Sequence, residues 1–299
     1  MPDHVEDRFV TLPNGTRVCY RVDGEPGAAP VLLVAGLAED LTTWSPLFVS
    51  ALTAAGLQVI RMDNRDCGRS AYATTPPPST LRQLLARPRR DTYTLADMAV
   101  DAAQLIEHLG LGPTHLVGRS MGGMIAQTVA ARHPALTRSL TSLYSTTGNR
   151  KAGQPALSTL ALLAASPPRN RMQAVRAHLR LTTHIAGIDF PIDEVEETSH
   201  AVETWNRTDG DGSAGTARQV QAIQASGDRT AEIARITAPT LVLNGDRDRV
   251  VAPSGGVATA SAIPGSRHIV IPGMGHHLPD VLAPLVAGHV VQHLERASA

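Results

Sequence analysis

The stretch that decides the fold reads Thr114-His-Leu-Val-Gly-Arg-Ser120-Met-Gly-Gly-Met-Ile-Ala-Gln-Thr128. An apolar run typical of a strand leads into Gly118-Arg119-Ser120-Met121-Gly122, and a segment of helical character follows at residues 124–133. A serine between a strand and a helix, with a glycine two positions away on each side, is the pattern of a nucleophile elbow. The glycines allow a sharp turn, so the hydroxyl stands free and the helix N-terminus faces any oxyanion formed there. The alternative is a glycine-rich turn whose serine only caps the helix.

The bulk composition shows no charge bias. The chain has 299 residues, 42% of them hydrophobic, and 27 Lys and Arg against 27 Asp and Glu. This balance gives no indication of a nucleic-acid or anionic-membrane partner. No apolar stretch approaches the ~18 residues of a membrane span, and no signal-peptide pattern opens the chain. The two cysteines, Cys19 and Cys67, match neither a disulfide framework nor a metal site, so we expect a cytoplasmic protein.

Apolar, β-prone runs alternate with helical segments along most of the chain. The predicted strands are residues 9–12 and 17–20, which flank the turn Asn14-Gly15, and then 30–35, 57–62, 115–117, 139–144, 240–243 and 268–271. Predicted helices cover 44–55, 94–109, 124–133 and 279–296. The alternation predicts an α/β fold, with a mostly parallel central sheet flanked by helices.

Residues 147–235 lack strand patterns and are predicted to form several helices, at 157–163, 172–181, 192–205 and 215–225. We therefore expect a core domain of residues 1–146 and 236–299, with residues 147–235 inserted as a helical cap. A second excursion, residues 74–91, is rich in proline and arginine and is expected to be a surface loop.

A serine nucleophile needs a base, and that base needs a group to orient it. His276 lies in the glycine-containing loop that follows the last predicted strand, and it is favoured over the adjacent His277 and over a surface role. Asp248 and Asp246 both follow the strand at 240–243. Asp248 lies further into its loop and is better placed to reach a histidine, whereas Asp246 is expected to cap the turn. The order Ser120, Asp248, His276 is the one expected of this triad.

Three motifs carry a resemblance to a known family: Asp63-Asn64-Arg65-Asp66-Cys67-Gly68-Arg69-Ser70, Val117-Gly118-Arg119-Ser120-Met121-Gly122-Gly123 and Ile271-Pro272-Gly273-Met274-Gly275-His276. The chain resembles the α/β-hydrolase superfamily over nearly its whole length, and within it the serine esterases known as aclacinomycin methylesterases and related actinobacterial esterases. The resemblance implies the α/β-hydrolase fold, the triad and ester hydrolysis. The first motif is expected to be a structural turn.

The same resemblance assigns the oxyanion hole to the backbone N–H groups of Leu37 and Met121. Family members often carry His-Gly at the end of the third strand, where this chain has Ala35-Gly36-Leu37. Backbone donors survive a change of side chain, so the hole is expected to persist.

Four apolar residues are candidates for the substrate pocket: Trp44, Phe48, Leu160 and Leu163. The buried face of a helix explains the same residues equally well. Because only 3% of residues are aromatic, we expect an aliphatic pocket.

The sequence thus predicts a serine ester hydrolase that acts through an acyl-enzyme on a small or medium apolar ester or lactone, a methyl ester among them, with no cofactor and no metal. Three rivals share the fold: a cofactor-free perhydrolase (haloperoxidase), a carbon–carbon bond hydrolase and a non-enzymatic ligand receptor. The acyl and alcohol groups and the oligomeric state stay open.

Overall fold

The computed structural model describes residues 6–298, apart from the side chains of residues 80 and 84. The turn at Asn14-Gly15 joins two antiparallel strands, β1 (Arg8–Thr11) and β2 (Arg17–Asp23). The later strands are β3 (Ala29–Val34), β4 (Leu57–Met62), β5 (Thr114–Arg119), β6 (Thr137–Leu143), β7 (Thr240–Gly245) and β8 (Arg267–Ile271). They form one sheet in the order β1-β2-β4-β3-β5-β6-β7-β8, parallel from β4 to β8. The predicted mostly parallel sheet is confirmed.

The helices are α1 (Pro46–Ala54), α2 (Thr80–Leu84), α3 (Leu95–His108), α4 (Met121–Arg132), α5 (Leu157–Leu163), α6 (Arg171–Ile185), α7 (Glu194–Arg207), α8 (Gly212–Ser226), α9 (Thr230–Ile233), α10 (Ser254–Ala262) and α11 (Ala283–Arg296). The sequence did not predict α9 and α10, and α2 lies within the predicted surface loop. Among residues 6–298, no helix combines the length and apolar character that crossing a membrane requires.

The hydrophobic core has two layers, one on each face of the sheet. Along β3, Val31 and Leu33 face the layer formed with α1 and α11, while Leu32 and Val34 face the layer formed with α3 and α4. All four side chains are fully buried. A strand covered on both faces has no polar side to show, which explains its continuous apolar sequence.

Polar side chains in the turn that follows β4 make hydrogen bonds to nearby backbone groups. Asp63 accepts hydrogen bonds from the backbone N–H groups of Leu41 (2.7 Å) and Arg69 (2.9 Å). The Ser70 hydroxyl donates to the Asp63 carbonyl at 2.7 Å, and the Asn64 amide donates to the Ala35 carbonyl at 2.9 Å. These contacts give the motif a structural role and fix the end of β3.

Two buried arginines tie the helices between β6 and β7 to the loops at the carboxyl edge of the sheet. Arg207, at the end of α7, donates to Asp7 (2.6 Å), Asp63 (2.9 Å) and Asp40 (3.2 Å). Arg218 on α8 makes a bidentate pair with Asp66 at 2.8 and 2.6 Å. Buried charges are stable only when paired, so these helices are held against the core by electrostatic contacts as well as by packing.

We expect Arg207→Met to lower the free energy of unfolding at pH 8 by about 3–5 kcal/mol, because Asp40 and Asp63 lose their buried counterion. Burial and the charge of Asp40 already raise the pKa of Asp63 to about 6, against the opposing charge of Arg207. A carboxyl group whose pKa is raised by folding binds protons more readily in the folded state. Lowering the pH from 8 to 5 should therefore reduce the deficit of the variant.

Urea unfolding of wild type and variant across this pH range measures the effect. Arg180→Met, at an exposed position on α6, serves as the control and should change stability by less than about 0.5 kcal/mol. Equal losses in the two variants, or a deficit independent of pH, would contradict the assignment.

Candidate active site

Ser120 occupies a strained turn between β5 and α4, with φ 52° and ψ −122°. A side chain at Gly118 would overlap the Gly122 carbonyl, and one at Gly122 would overlap the Val34 carbonyl, so only glycine fits at either position. The turn is fastened to β6: the Ser120 N–H donates to the Leu143 carbonyl at 3.0 Å, and the Ser145 hydroxyl donates to the Ser120 carbonyl at 2.7 Å. The two glycines of the motif are therefore required by close backbone packing.

The three side chains selected from the sequence lie within hydrogen-bond distance of one another. The Ser120 Oγ is 2.9 Å from His276 Nε2, and His276 Nδ1 is 2.7 Å from Asp248 Oδ2. Because Nδ1 faces a carboxylate, it carries the ring proton and donates it, which leaves Nε2 free to accept the serine proton. This is the arrangement that general-base activation of a serine requires.

The two aspartates that follow β7 have different surroundings. Asp248 is buried, and its second oxygen accepts from the N–H groups of Val250 and Val251, both at 2.8 Å. Asp246 is half-exposed and accepts from the Gly273 N–H at 2.7 Å, which links its turn to the loop after β8. Asp246 therefore lies in a turn-capping position, and Asp248 in contact with the imidazole.

The loop that carries His276 packs against α6 and α7. The His276 N–H donates to the carbonyl of Ile185, the last residue of α6, at 2.8 Å. His277 turns away from Ser120 and contacts Glu197 on α7 at 2.7 Å, and His178 contacts the other oxygen of Glu197 at 2.6 Å. Burial alone would raise the pKa of Glu197, but the hydrogen bonds with His178 and His277 hold it well below its usual range. His277 thus connects the loop to α7.

The two residues expected to supply backbone donors, Leu37 and Met121, lie next to Ser120 in the structure. Met121 is the first residue of α4, where the helix dipole favours negative charge. Leu37 follows Gly36, where a Cβ atom would lie 3.3 Å from the Ser120 Cβ. Within residues 6–298, neither the Leu37 nor the Met121 N–H has a protein acceptor. Both groups are therefore free of protein acceptors, and their role as an oxyanion hole stays a prediction.

The candidate pocket residues divide into two pairs. Trp44 and Phe48 stack at 5.3 Å inside the core and are 1% and 0% exposed, so protein atoms surround both rings. This position gives them a packing role and leaves no face for a substrate. Leu160 and Leu163 lie on α5 and are 45% and 48% exposed. Their contact with substrate stays a prediction.

A comparison with known families matches residues 29–281 to the family described as alpha/beta hydrolase fold. The chain belongs to this family. Its relatives include the rhodomycin D methylesterase DauP of Streptomyces sp. (strain C5), with 28% identity over 92% of this chain and 94% of that protein. The non-heme haloperoxidase of Rhodococcus erythropolis is 26% identical over 96% of this chain and 99% of that protein.

Among solved structures, the enol-lactonase of Burkholderia xenovorans LB400 superposes with a TM-score of 0.73 at 23% identity, covering 96% of this chain and all (100%) of the other. At that identity the likeness shows the fold alone. Together, the family and its members support hydrolase activity for this α/β hydrolase.

Sequence reasoning missed three residues beside the site of this α/β hydrolase. The Tyr144 ring lies edge-on to the His276 ring, with centroids 4.8 Å apart. Arg119 is buried between the Tyr144 and Trp44 rings and pairs with Glu39 at 2.8 Å. A charged residue at the end of the apolar run Leu116-Val117-Gly118 was a signal that a partner must exist, but nothing local identified Glu39.

We expect His276→Ala to slow fluorophosphonate labelling of Ser120 by at least about two powers of ten, because the proton acceptor is lost. His277→Ala should label at a rate close to that of the wild type. Its melting temperature should fall, since Glu197 loses one of two partners. Labelling rates, with the adduct located by mass spectrometry, test both expectations. Similar rates in the two variants would contradict the different roles of the two histidines.

Substitutions of Asp248 and Asp246 provide a second matched comparison. Asp248→Asn keeps the shape but cannot hold the Nδ1 proton in place, so labelling should fall by roughly 10³- to 10⁴-fold. Asp246→Asn removes the charge but keeps an oxygen that can accept from the Gly273 N–H, so this variant should label within a few-fold of wild type. The reverse ranking would move the orienting role to Asp246.

Proposed function

We propose that this α/β hydrolase is a serine ester hydrolase of the carboxylesterase type. The observation that carries the proposal is the continuous hydrogen-bond chain from Ser120 through His276 to Asp248, with distances of 2.9 and 2.7 Å. The strained turn at Ser120 and the two unoccupied backbone donors beside it give further support.

The reaction proceeds in two half-reactions. Ser120 Oγ attacks the ester carbonyl carbon while its proton passes to His276 Nε2, and Asp248 stabilises the resulting imidazolium. The N–H groups of Leu37 and Met121 bind the tetrahedral oxyanion. The intermediate collapses as His276 returns the proton to the departing alcohol. Water, deprotonated by His276, then attacks the acyl-enzyme, and collapse of the second intermediate releases the acid and restores the Ser120 hydroxyl.

The substrate class we propose is a small or medium apolar ester or lactone, with methyl esters first among the candidates. A methylesterase covering 92% of this chain supports the choice. No cofactor or metal takes part in the steps above. The cysteines, Cys19 and Cys67, are buried and free, which suits the reducing cytoplasm that we propose as its location.

We further propose that residues 147–235 act as a cap over the site, with residues 1–146 and 236–299 as the core. The contact between the Ile185 carbonyl and the His276 N–H supports this division of roles, because it brings the end of α6 directly onto the loop of the proposed base.

A second candidate is a perhydrolase that uses the same three residues. The haloperoxidase relative, aligned over 96% of this chain, favours it. In that reaction, hydrogen peroxide replaces water as the nucleophile towards the acyl-enzyme, and a peracid is released.

A panel of p-nitrophenyl and methyl esters of increasing acyl length, with lactones, tests the proposal, each assayed with and without hydrogen peroxide. We expect hydrolysis without peroxide, and loss of nearly all of it in Ser120→Ala, with an unchanged circular dichroism spectrum. Activity that survives in folded Ser120→Ala would remove the nucleophile from the proposal. Product formation only in the presence of peroxide would favour the perhydrolase.

A further inference from the structure

The loop after β3 has a selective pattern of hydrogen bonds. The Gly36 N–H donates to Glu39 Oε2 at 2.8 Å, the Ala38 N–H to the Gln219 side chain at 2.9 Å, and the Glu39 N–H to the Gly36 carbonyl at 3.4 Å. Among the described residues, only the Leu37 N–H of this run lacks a protein acceptor. The Leu37 N–H is therefore the donor of this loop that is left without a protein acceptor, whereas the N–H groups of Gly36, Ala38 and Glu39 each have one.

Glu39 is the side chain that binds the Gly36 N–H in this loop. Its other oxygen, Oε1, accepts from Arg119 Nη2 at 2.8 Å, and Arg119 is the residue before Ser120. One carboxylate thus joins the loop after β3 to the nucleophile turn. Both connections are short, and the Arg119 side chain is 3% exposed.

Glu39 is the counterion of the buried Arg119 guanidinium. Its guanidinium lies 5.9 Å from the Trp44 ring centroid and 5.5 Å from that of Tyr144, and it also donates to the Thr43 carbonyl at 3.3 Å. Burial lowers the pKa of Arg119, but the electrostatic effects of Glu39, Tyr144 and Glu197, with that of Glu39 the largest of the three, together raise it above its ordinary value. In the part of the chain that the structure describes, Glu39 is its only carboxylate within ion-pair distance.

We propose that Glu39 is a positioning residue for the oxyanion hole. It binds the Gly36 N–H, directs the Leu37 N–H towards the reacting carbonyl, and fixes this loop to the Ser120 turn through Arg119. Arg119 neutralises the carboxylate, which would otherwise repel the negative charge that develops nearby in the transition state. The proposal rests on the serine-hydrolase function proposed above.

A purely structural ion pair is the competing explanation, and substitutions of similar size separate the two. Both test variants carry Arg119→Met, so that no unpaired charge stays buried. Glu39→Gln/Arg119→Met keeps an oxygen that can accept from the Gly36 N–H, whereas Glu39→Met/Arg119→Met fills the same space without an acceptor. Asp23→Ala removes a comparable pair, with Arg61 at 2.9 Å between β2 and β4, and serves as the distant control.

We expect Glu39→Gln/Arg119→Met to keep kcat and the rate of fluorophosphonate labelling at Ser120 within a few-fold of wild type. Glu39→Met/Arg119→Met should lose roughly 10- to 100-fold in both, with KM little changed, because the misplaced donor acts mainly in the transition state. Arg119→Met alone should be slower than the glutamine double variant, since it leaves the carboxylate charge unneutralised. Asp23→Ala should lose stability without a change in labelling rate.

Equal rates for the two double variants, or a loss confined to KM, would overturn the positioning role. Should Glu39→Met/Arg119→Met fail to fold, as judged by circular dichroism, Glu39→Ala/Arg119→Met makes the same comparison with less bulk. The labelling rate needs no ester substrate. If the wild type and the variants label at Ser120 in the expected rank order but the wild type hydrolyses no ester, the proposed function fails while the role of Glu39 stands. If esters are hydrolysed through Ser120 and the two double variants label alike, the role of Glu39 fails alone.

Discussion

The close approach of three backbone segments at the carboxyl edge of the sheet is the constraint on which the rest of the site depends. The first turn of α4 contacts both the end of β5 and the end of β3, and glycine at positions 118 and 122 is what lets the chains come so near. At this contact Ser120 has a positive φ, and the loop that carries Leu37 lies beside it. One packing contact therefore holds together the Ser120 turn, the N-terminus of α4 and the loop that carries Leu37.

Buried ion pairs hold the surrounding loops in place. Arg207 and Arg218 reach from α7 and α8 to aspartates in the loops after β3 and β4, and Glu39 with Arg119 joins two loops that border Ser120. Each pair lies where a loop cannot be held by strand or helix hydrogen bonds. The carboxyl edge of this sheet is consequently ordered by charge, whereas the two layers beneath it are ordered by apolar packing.

Features with a local signature could be predicted from the sequence, and those made by distant pairs could not. Alternation of apolar strands and capped helices indicated the parallel sheet, and motif position after β5, β7 and β8 selected Ser120, Asp248 and His276, which lie together. Helix α10, built of small residues with two glycines, has no apolar periodicity and was missed. Nothing in the sequence around Trp44 and Phe48 distinguishes a residue that lines a pocket from one that is buried in the core. Glu39 and Arg119 are 80 positions apart, and only the fold brings them together.

The hydrogen bond from the His276 N–H to the Ile185 carbonyl has a consequence for how such enzymes diversify. The helices between β6 and β7 make up the proposed cap, and exchanging a cap is one way to change which substrates a site accepts. In this chain, however, these helices also supply a hydrogen-bond acceptor to the main chain of the histidine. A replacement, whether made by recombination or in the laboratory, must offer a carbonyl at the same point, so the insert is less interchangeable than its place in the chain suggests.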